Sequence, residues 1–160
     1  MRKFSLFVLL FFGVFSLADE LSLVESFRFD GSTFYKKQVV KNESFYFLKN
    51  ENMDEHFASF RVKFDKDVKT KSELEELKRA LKQDKNVLYS EENDQILALI
   101  KDETKSKNIE IIHFLLKKDG VLMLSYERIY DPQTSADALK PVLLSEARNF
   151  MLQMPKIEDR

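Results

Sequence analysis

The chain has 160 residues, a net charge of −1 at pH 7, no cysteine and three glycines. Its length fits one domain, and its nearly balanced charge argues against the clustered lysines and arginines on which non-specific nucleic-acid binding depends. Without cysteine the chain can form neither disulfides nor thiolate metal sites, and its isolated glycines exclude a glycine-rich phosphate-binding loop.

Residues 1–18 have the pattern of a secretory signal peptide. A short basic start precedes an almost unbroken apolar run over residues 4–15, and small residues, among them Ala18, stand where signal peptidase cuts. We expect cleavage between Ala18 and Asp19, which leaves residues 19–160 as a single domain. An uncleaved anchor and a buried N-terminal element are the alternatives, but the run is short for a membrane-spanning helix, which needs roughly 20 apolar residues.

The mature chain is predicted to open with a mostly irregular segment over residues 19–32 and then two strands, 33–40 and 44–49, joined by a turn at Asn42-Glu43. Five aromatic residues crowd these strands: Phe34, Tyr35, Phe45, Tyr46 and Phe47. They form either a two-sided core, which we favour, or a partner surface. At a sheet edge the strand pair would also permit β-augmentation, in which a partner adds a strand.

Residues 58–64 show the clearest alternation in the chain and predict a half-buried strand. Two sets of side chains point to opposite faces: Ala58, Phe60, Val62 and Phe64 on one, and Ser59, Arg61 and Lys63 on the other. A helix is predicted next, because two overlapping capping boxes, Thr70 with Glu73 and Ser72 with Glu75, precede a stripe of Leu74, Leu77 and Leu81.

Two short strands, 86–90 and 95–101, follow a break and are joined by a polar turn over residues 91–94. The second strand is apolar on both faces and is expected to neighbour the centre of the sheet. Residues 109–130 are predicted to form that centre. Two β-rich runs there flank Asp119-Gly120, a pair that suits a type I′ hairpin turn.

A two-residue turn at Asp119-Gly120 would place His113 opposite Tyr126. The hairpin is apolar on both faces near the turn, so we expect cover on both sides, while residues 127–130 are more polar and are expected to approach the surface. His113 then has two interpretations. It is either the polar anchor of a ligand pocket walled by Tyr126 or Tyr130, or a core histidine bonded to a tyrosine hydroxyl or a backbone carbonyl, which we favour.

The last predicted element is a helix over residues 134–156, with Pro141 either in its first turns or at a kink. The order β-β-β-α-β-β-β-β-α predicts an α+β domain with an antiparallel sheet of about six to seven strands and two covering helices. This order, with the passage from Leu122-Met123-Leu124-Ser125-Tyr126 to Leu143-Leu144-Ser145-Glu146-Ala147, resembles the PsbP-like fold of small secreted domains, which includes the DcrB-type proteins. The resemblance spans nearly the whole mature chain and carries over no functional residue.

The sequence holds few groups from which a catalytic or metal site is built. The two histidines lie in different elements and are too few for a zinc centre. His56 lies near Asp54 and Glu55 and is either a weak metal ligand or, as we favour, a solvated loop histidine. Neighbouring carboxylates such as Glu91 and Glu92 are expected to be solvated charges, and a serine-hydrolase motif is missing. We therefore expect neither metal nor cofactor.

These observations predict a non-enzymatic accessory or protein-binding module. The residue bias indicates an AT-rich bacterial genome, so we expect export to the periplasm of a Gram-negative bacterium, a periplasmic or envelope protein as partner, no nucleic acid, and membrane contact only through the signal peptide. The alternative is a small-molecule or lipid carrier with a pocket between sheet and helices, for which His113, Tyr126 and Tyr130 are the candidate ligand-binding residues. An enzyme comes third. A cavity lined by both helices and the hairpin would favour the carrier, and a filled core with an exposed apolar edge would favour the binding module.

Overall fold

The computed structural model of the protein describes residues 25–153. The predicted signal peptide, its cleavage site at Ala18 and Asp19, and the end of the predicted last helix at residues 154–156 lie outside this range. Within it, eight strands and two helices occur in the order β1 Ser26–Phe29, β2 Ser32–Val40, β3 Glu43–Phe47, β4 Ala58–Asp65, α1 Lys71–Lys82, β5 Val87–Glu92, β6 Ile96–Glu103, β7 Ser106–Lys117, β8 Gly120–Tyr130 and α2 Ala136–Leu152.

All eight strands form one sheet in the order β1-β2-β3-β4-β8-β7-β6-β5, and each neighbouring pair is antiparallel. The predicted α+β class, antiparallel sheet and two helices are confirmed. The hairpin of β7 and β8 lies at the centre, and β6 is its neighbour, as its apolar character on both faces predicted.

The strand count of six to seven was too low, because β1 lies in the segment that was expected to be irregular. Phe27 and Phe29 of β1 are buried, and the connection to β2 is Asp30-Gly31, where both residues have positive φ, 47° and 74°. Positive φ at both central positions defines a type I′ turn. Asp30-Gly31 therefore forms the type I′ turn that is typical of an Asp-Gly pair.

The central hairpin does not use its own Asp-Gly pair in that way, so the predicted register is wrong by two residues. Lys117 pairs with Gly120, which leaves Lys118 and Asp119 as the loop, and neither of these residues has positive φ. Gly120 instead begins β8 where a Cβ atom would collide with the Asp65 carbonyl oxygen at the end of β4. Gly120 also has a φ of 157°, so a tertiary contact and the local backbone conformation both require this glycine. A shift of two residues leaves every side chain on its predicted face.

The two helices cover opposite faces of the sheet, which we call the α1 face and the α2 face. On the α1 face, Leu74 packs with six buried residues of the central strands: Leu97, Leu99, Ile112, Phe114, Val121 and Met123. On the α2 face, Leu139, Leu143, Ala147 and Phe150 join a larger core. The predicted cover on both sides of the hairpin is thereby confirmed.

Local sequence explains where both helices begin. Thr70 caps α1 by accepting a hydrogen bond from the Glu73 amide at 3.2 Å, and Glu73 accepts one from the Thr70 amide at 2.9 Å, which confirms the first capping box. Ser135 caps α2. Pro141 lies inside α2, where its missing N–H deprives only the first-turn carbonyl of Asp137 of a donor. Neither helix within residues 25–153 has the length and apolar character that crossing a bilayer needs.

Candidate functional site

The three predicted ligand-binding residues share the α2 face but do not form one pocket. His113 pairs with Leu124 on β8 and with Ile96 on β6, and Tyr126 pairs with Ile111, so the predicted pairing of His113 with Tyr126 is wrong. Tyr126 belongs to an aromatic cluster, with ring centroids 4.9 Å from Phe60 and 5.2 Å from Phe29. Burial raises the pKa of its hydroxyl.

Tyr130 lies at the more polar end of the hairpin, beside Arg128. The Arg128 guanidinium lies 5.7 Å from the Tyr130 ring centroid and 4.9 Å from that of Phe57, and it donates a hydrogen bond to Glu146. The Tyr130 hydroxyl is buried and has no hydrogen-bond partner in the described chain, and burial raises its pKa. Residues 127–130 are half-buried whereas residues 120–126 are buried, so this end of the hairpin approaches the surface as predicted.

His113 is a buried polar side chain on the α2 face. It is 8% exposed among aliphatic side chains, and within the described residues its Nδ1 atom has no hydrogen-bond partner. Burial lowers the pKa of His113, because the charged ring would lose its hydration. The ring is therefore neutral in the folded protein at neutral pH.

His113→Leu is expected to raise the free energy of unfolding by about 1 kcal/mol at pH 8, since it removes an unpaired buried polar atom. The gain should be larger at pH 5. The pKa of His113 is lower in the folded than in the unfolded state, so the wild type loses stability as pH falls below the unfolded value of about 6.5. Urea denaturation at the two pH values measures both effects. Equal gains at pH 5 and pH 8 would contradict a lowered pKa of His113 in the folded state.

His56→Gln supplies the opposite control. A hydrogen bond to Glu127 raises the pKa of His56, so its stabilising contribution is present below pH 6.5 and is lost as pH rises through the folded pKa. This variant should therefore lose more stability at pH 5 than at pH 8.

The sequence did not predict a cleft on the α1 face, beside the area that α1 covers. We call it the charged cleft; its volume is about 130 Å³ and it is lined by Ser59 and Arg61 of β4, Ser125 and Glu127 of β8, Glu110 of β7, Lys101 of β6, Phe45 and Phe47 of β3, and Met53 and His56 of the loop before β4. The polar side of β4, predicted from alternation alone, supplies part of its floor. The remaining signal in the sequence was the pair Glu110 and Glu127, two acids inside otherwise apolar central strands.

Glu110 and Glu127 stand directly opposite each other on β7 and β8. Like charges at paired positions repel, so each carboxylate needs compensation. The Glu110 side chain, 6% exposed, accepts a hydrogen bond from Arg61 Nη2 at 3.0 Å and also contacts the Lys101 ammonium. Two cations thus neutralise this buried acid.

Glu127 is compensated differently. It accepts a hydrogen bond from Asn108 Nδ2 at 2.7 Å, and its other oxygen lies 3.5 Å from both His56 Nε2 and Ser59 Oγ. Burial acts to raise the pKa of Glu127, but the hydrogen bonds from His56 and Asn108 outweigh it, so the pKa lies below its ordinary value. The carboxylate is therefore ionised at neutral pH.

His56 is not the solvated loop histidine that was expected. Its side chain is 13% exposed, its ring meets the Phe47 ring edge-on with centroids 5.1 Å apart, and it contacts Glu127 rather than Asp54 or Glu55. Within residues 25–153, no three histidine or carboxylate side chains converge as metal ligands. Through its contact with Glu127 of β8, His56 instead links the β3–β4 loop to the sheet.

A second concave surface, which we call the α2 groove, lies between α2 and the β5–β6 edge of the sheet. Its volume is about 390 Å³, its apolar lining comprises Ile96, Ala98, Leu144, Ala147, Met151 and Leu152, and its rim comprises Glu91, Glu92, Asn93 and Arg148. Leu144 is 50% exposed and Leu152 77% exposed, although Ile96 and Ala98 beside them are buried.

Comparison of the chain with protein-family models, with curated proteins and with solved structures finds no match.

Proposed function

We propose that the protein is a non-enzymatic protein-binding module whose docking surface is the α2 groove. The observation that carries this proposal is the exposure of Leu144 and Leu152 on a helix whose other face is fully packed. Large apolar side chains that line a depression beside a polar rim are typical of protein interaction sites.

The charges around the groove indicate the chemistry of the partner. Glu91 and Asp94 lie along the β5–β6 rim, and Arg148 is the cation on the α2 side. Glu92 is excluded from this count, because its carboxylate pairs with Lys78 and Lys82 of α1. Because acids predominate, we propose that the groove receives an amphipathic segment with apolar anchors and flanking lysines or arginines.

The sheet edges favour groove docking over β-augmentation. The aromatic strands β2 and β3 lie inside the sheet, with Phe34 and Tyr46 buried on the α2 face and Phe47 buried on the other, so they form the two-sided core. The actual edge strands are β1, only four residues long, and β5, which bulges at Leu88 and ends in two glutamates. Short length, bulges and charge all hinder the addition of a strand.

The placement of the helices also bears on the carrier alternative. A carrier with one pocket between sheet and helices would need both helices beside the same cavity. Since α1 and α2 cover opposite faces, the binding module is the better proposal.

We further propose that the module acts in the periplasm, where its partner is another periplasmic or envelope protein. The support is the signal-peptide pattern of residues 1–18. Protein purified from the periplasm of an expression host should begin at Asp19, and an intact residue 1 would contradict the proposal.

Leu144→Ser is expected to weaken binding of an amphipathic leucine–lysine peptide to this purified protein at least tenfold, about 1.4 kcal/mol, because it removes an apolar anchor. Fluorescence anisotropy of the labelled peptide measures the affinity. Val39→Ser is the matched control, because Val39 is 61% exposed on β2 outside the groove.

Three results would overturn the docking proposal. One is equal binding of a leucine–glutamate peptide, and another is unchanged affinity in Leu144→Ser. The third is occupation of the groove by the protein itself, seen either as concentration-dependent self-association that Leu144→Ser abolishes or as peptide binding that requires removal of residues 154–160.

A further inference from the structure

The floor of the charged cleft has an unusual arrangement of charge, independent of the α2 groove on the opposite face. Ser59 pairs with Glu127 and Arg61 pairs with Ser125 across β4 and β8. Opposite charges therefore occupy one diagonal of a four-residue square, and two small hydroxyl side chains occupy the other. Diagonal positions on paired strands lie about 7–8 Å apart.

The two diagonal charges are engaged with other groups rather than with each other. Arg61 pairs with Glu110 through Nη2, and its side chain remains 40% exposed. A guanidinium has five N–H donors, so this bond leaves donors for a second anion.

Glu127 has capacity for a cation. Its side chain is 30% exposed, and when the His56 ring is neutral all three of its hydrogen-bonding neighbours are neutral groups. Glu110 differs, because two cations already contact it. The adjacent walls contribute Phe45, Phe47 and Met53, and aromatic faces also attract cations.

We propose that the charged cleft binds a small zwitterion, whose ammonium group pairs with Glu127 and whose carboxylate pairs with Arg61. The buried Ser59 and Ser125, 7% and 4% exposed, keep the floor between these charges open and can hydrogen-bond the ligand. The volume of about 130 Å³ limits the ligand to a few non-hydrogen atoms beyond its two charged groups.

Isothermal titration calorimetry at pH 8 with glycine, β-alanine and γ-aminobutyrate tests the proposal, because these probes differ in the separation of their charges. Methylamine and acetate carry one charge each. We expect at least one zwitterion to bind tenfold more tightly than either single-charge probe, and Glu127→Gln and Arg61→Gln each to weaken it at least tenfold. Lys63→Gln is the control, because Lys63 lies on the same face of β4 outside the cleft.

A variant that removes a charge could also lose binding because it no longer folds. Ser125→Val tests the cleft without this ambiguity, because it fills the floor and removes a hydroxyl while Arg61 and Glu127 both remain. It should abolish zwitterion binding while circular dichroism shows a folded protein. The proposal is overturned if no zwitterion binds at about 10 mM, if methylamine or acetate binds as tightly, or if a folded Glu127→Gln or Ser125→Val variant retains the wild-type affinity.

Discussion

Phe60→Ala is expected to lower the free energy of unfolding by about 4 kcal/mol. Phe60 is fully buried on the α2 face of β4. Its ring centroid lies 5.0 Å from Phe27, 4.9 Å from Phe34 and 6.3 Å from Phe150. These rings come from β1, β2 and α2, so truncation leaves a cavity that no single element can close by moving.

Phe57→Ala is the matched control, since Phe57 precedes the same strand and is 50% exposed. It stacks on Arg128, and its loss should cost less than about 1 kcal/mol. Equilibrium urea denaturation compares the two variants. Similar losses would contradict the central position of Phe60 in the core.

Gly120→Ala is expected to destabilise the protein by about 3 kcal/mol, because overpacking against backbone cannot be relieved by a rotamer change. The added Cβ would collide with the Asp65 carbonyl oxygen and would lie 2.7 Å from Phe64 Cζ and 2.9 Å from Lys66 Cα. The start of β8 would have to separate from the end of β4.

Gly31→Ala is the comparison for a glycine that has positive φ but no close neighbour. Gly31 has φ of 74° in the β1–β2 turn, and a Cβ atom there would meet nothing within 4 Å. The left-handed conformation alone should cost about 1 kcal/mol. Thermal and urea unfolding of both variants measures the difference. A Gly31→Ala variant as unstable as Gly120→Ala would contradict the added cost of the contact between Gly120 and β4.

The two Asp-Gly pairs show why a turn pattern alone does not locate a hairpin: the turn predicted at Asp119-Gly120 is wrong, and the turn at Asp30-Gly31 was not predicted. Two Asp-Gly pairs suggest the same type I′ turn, yet only Asp30-Gly31 forms one. At Asp119-Gly120 the glycine begins β8 with a φ of 157° and lies against the end of β4, and Asp65 is 55 positions away in the chain. A turn pattern contains no information about such a neighbour.

The candidate sites were less predictable than the fold. The alternation over residues 58–64 correctly put Ser59 and Arg61 on a polar face, but the cleft also needs Lys101, Glu110 and Glu127 from three other strands. Cross-strand neighbours follow from strand order and register, and the predicted register was two residues in error. The pairing of His113 with Tyr126 failed for the same reason.

The sequence by itself determined the α+β class, the positions of seven strands, the capping box of α1 and the face on which each hairpin residue lies. Those features depend on periodicity and on contacts between residues close in the chain. Only the tertiary structure decided the eighth strand, the hairpin register, the placement of α1 and α2 on opposite faces, and the convergence of Arg61, Glu110 and Glu127. These features depend on packing between distant segments, whose energies no local pattern records.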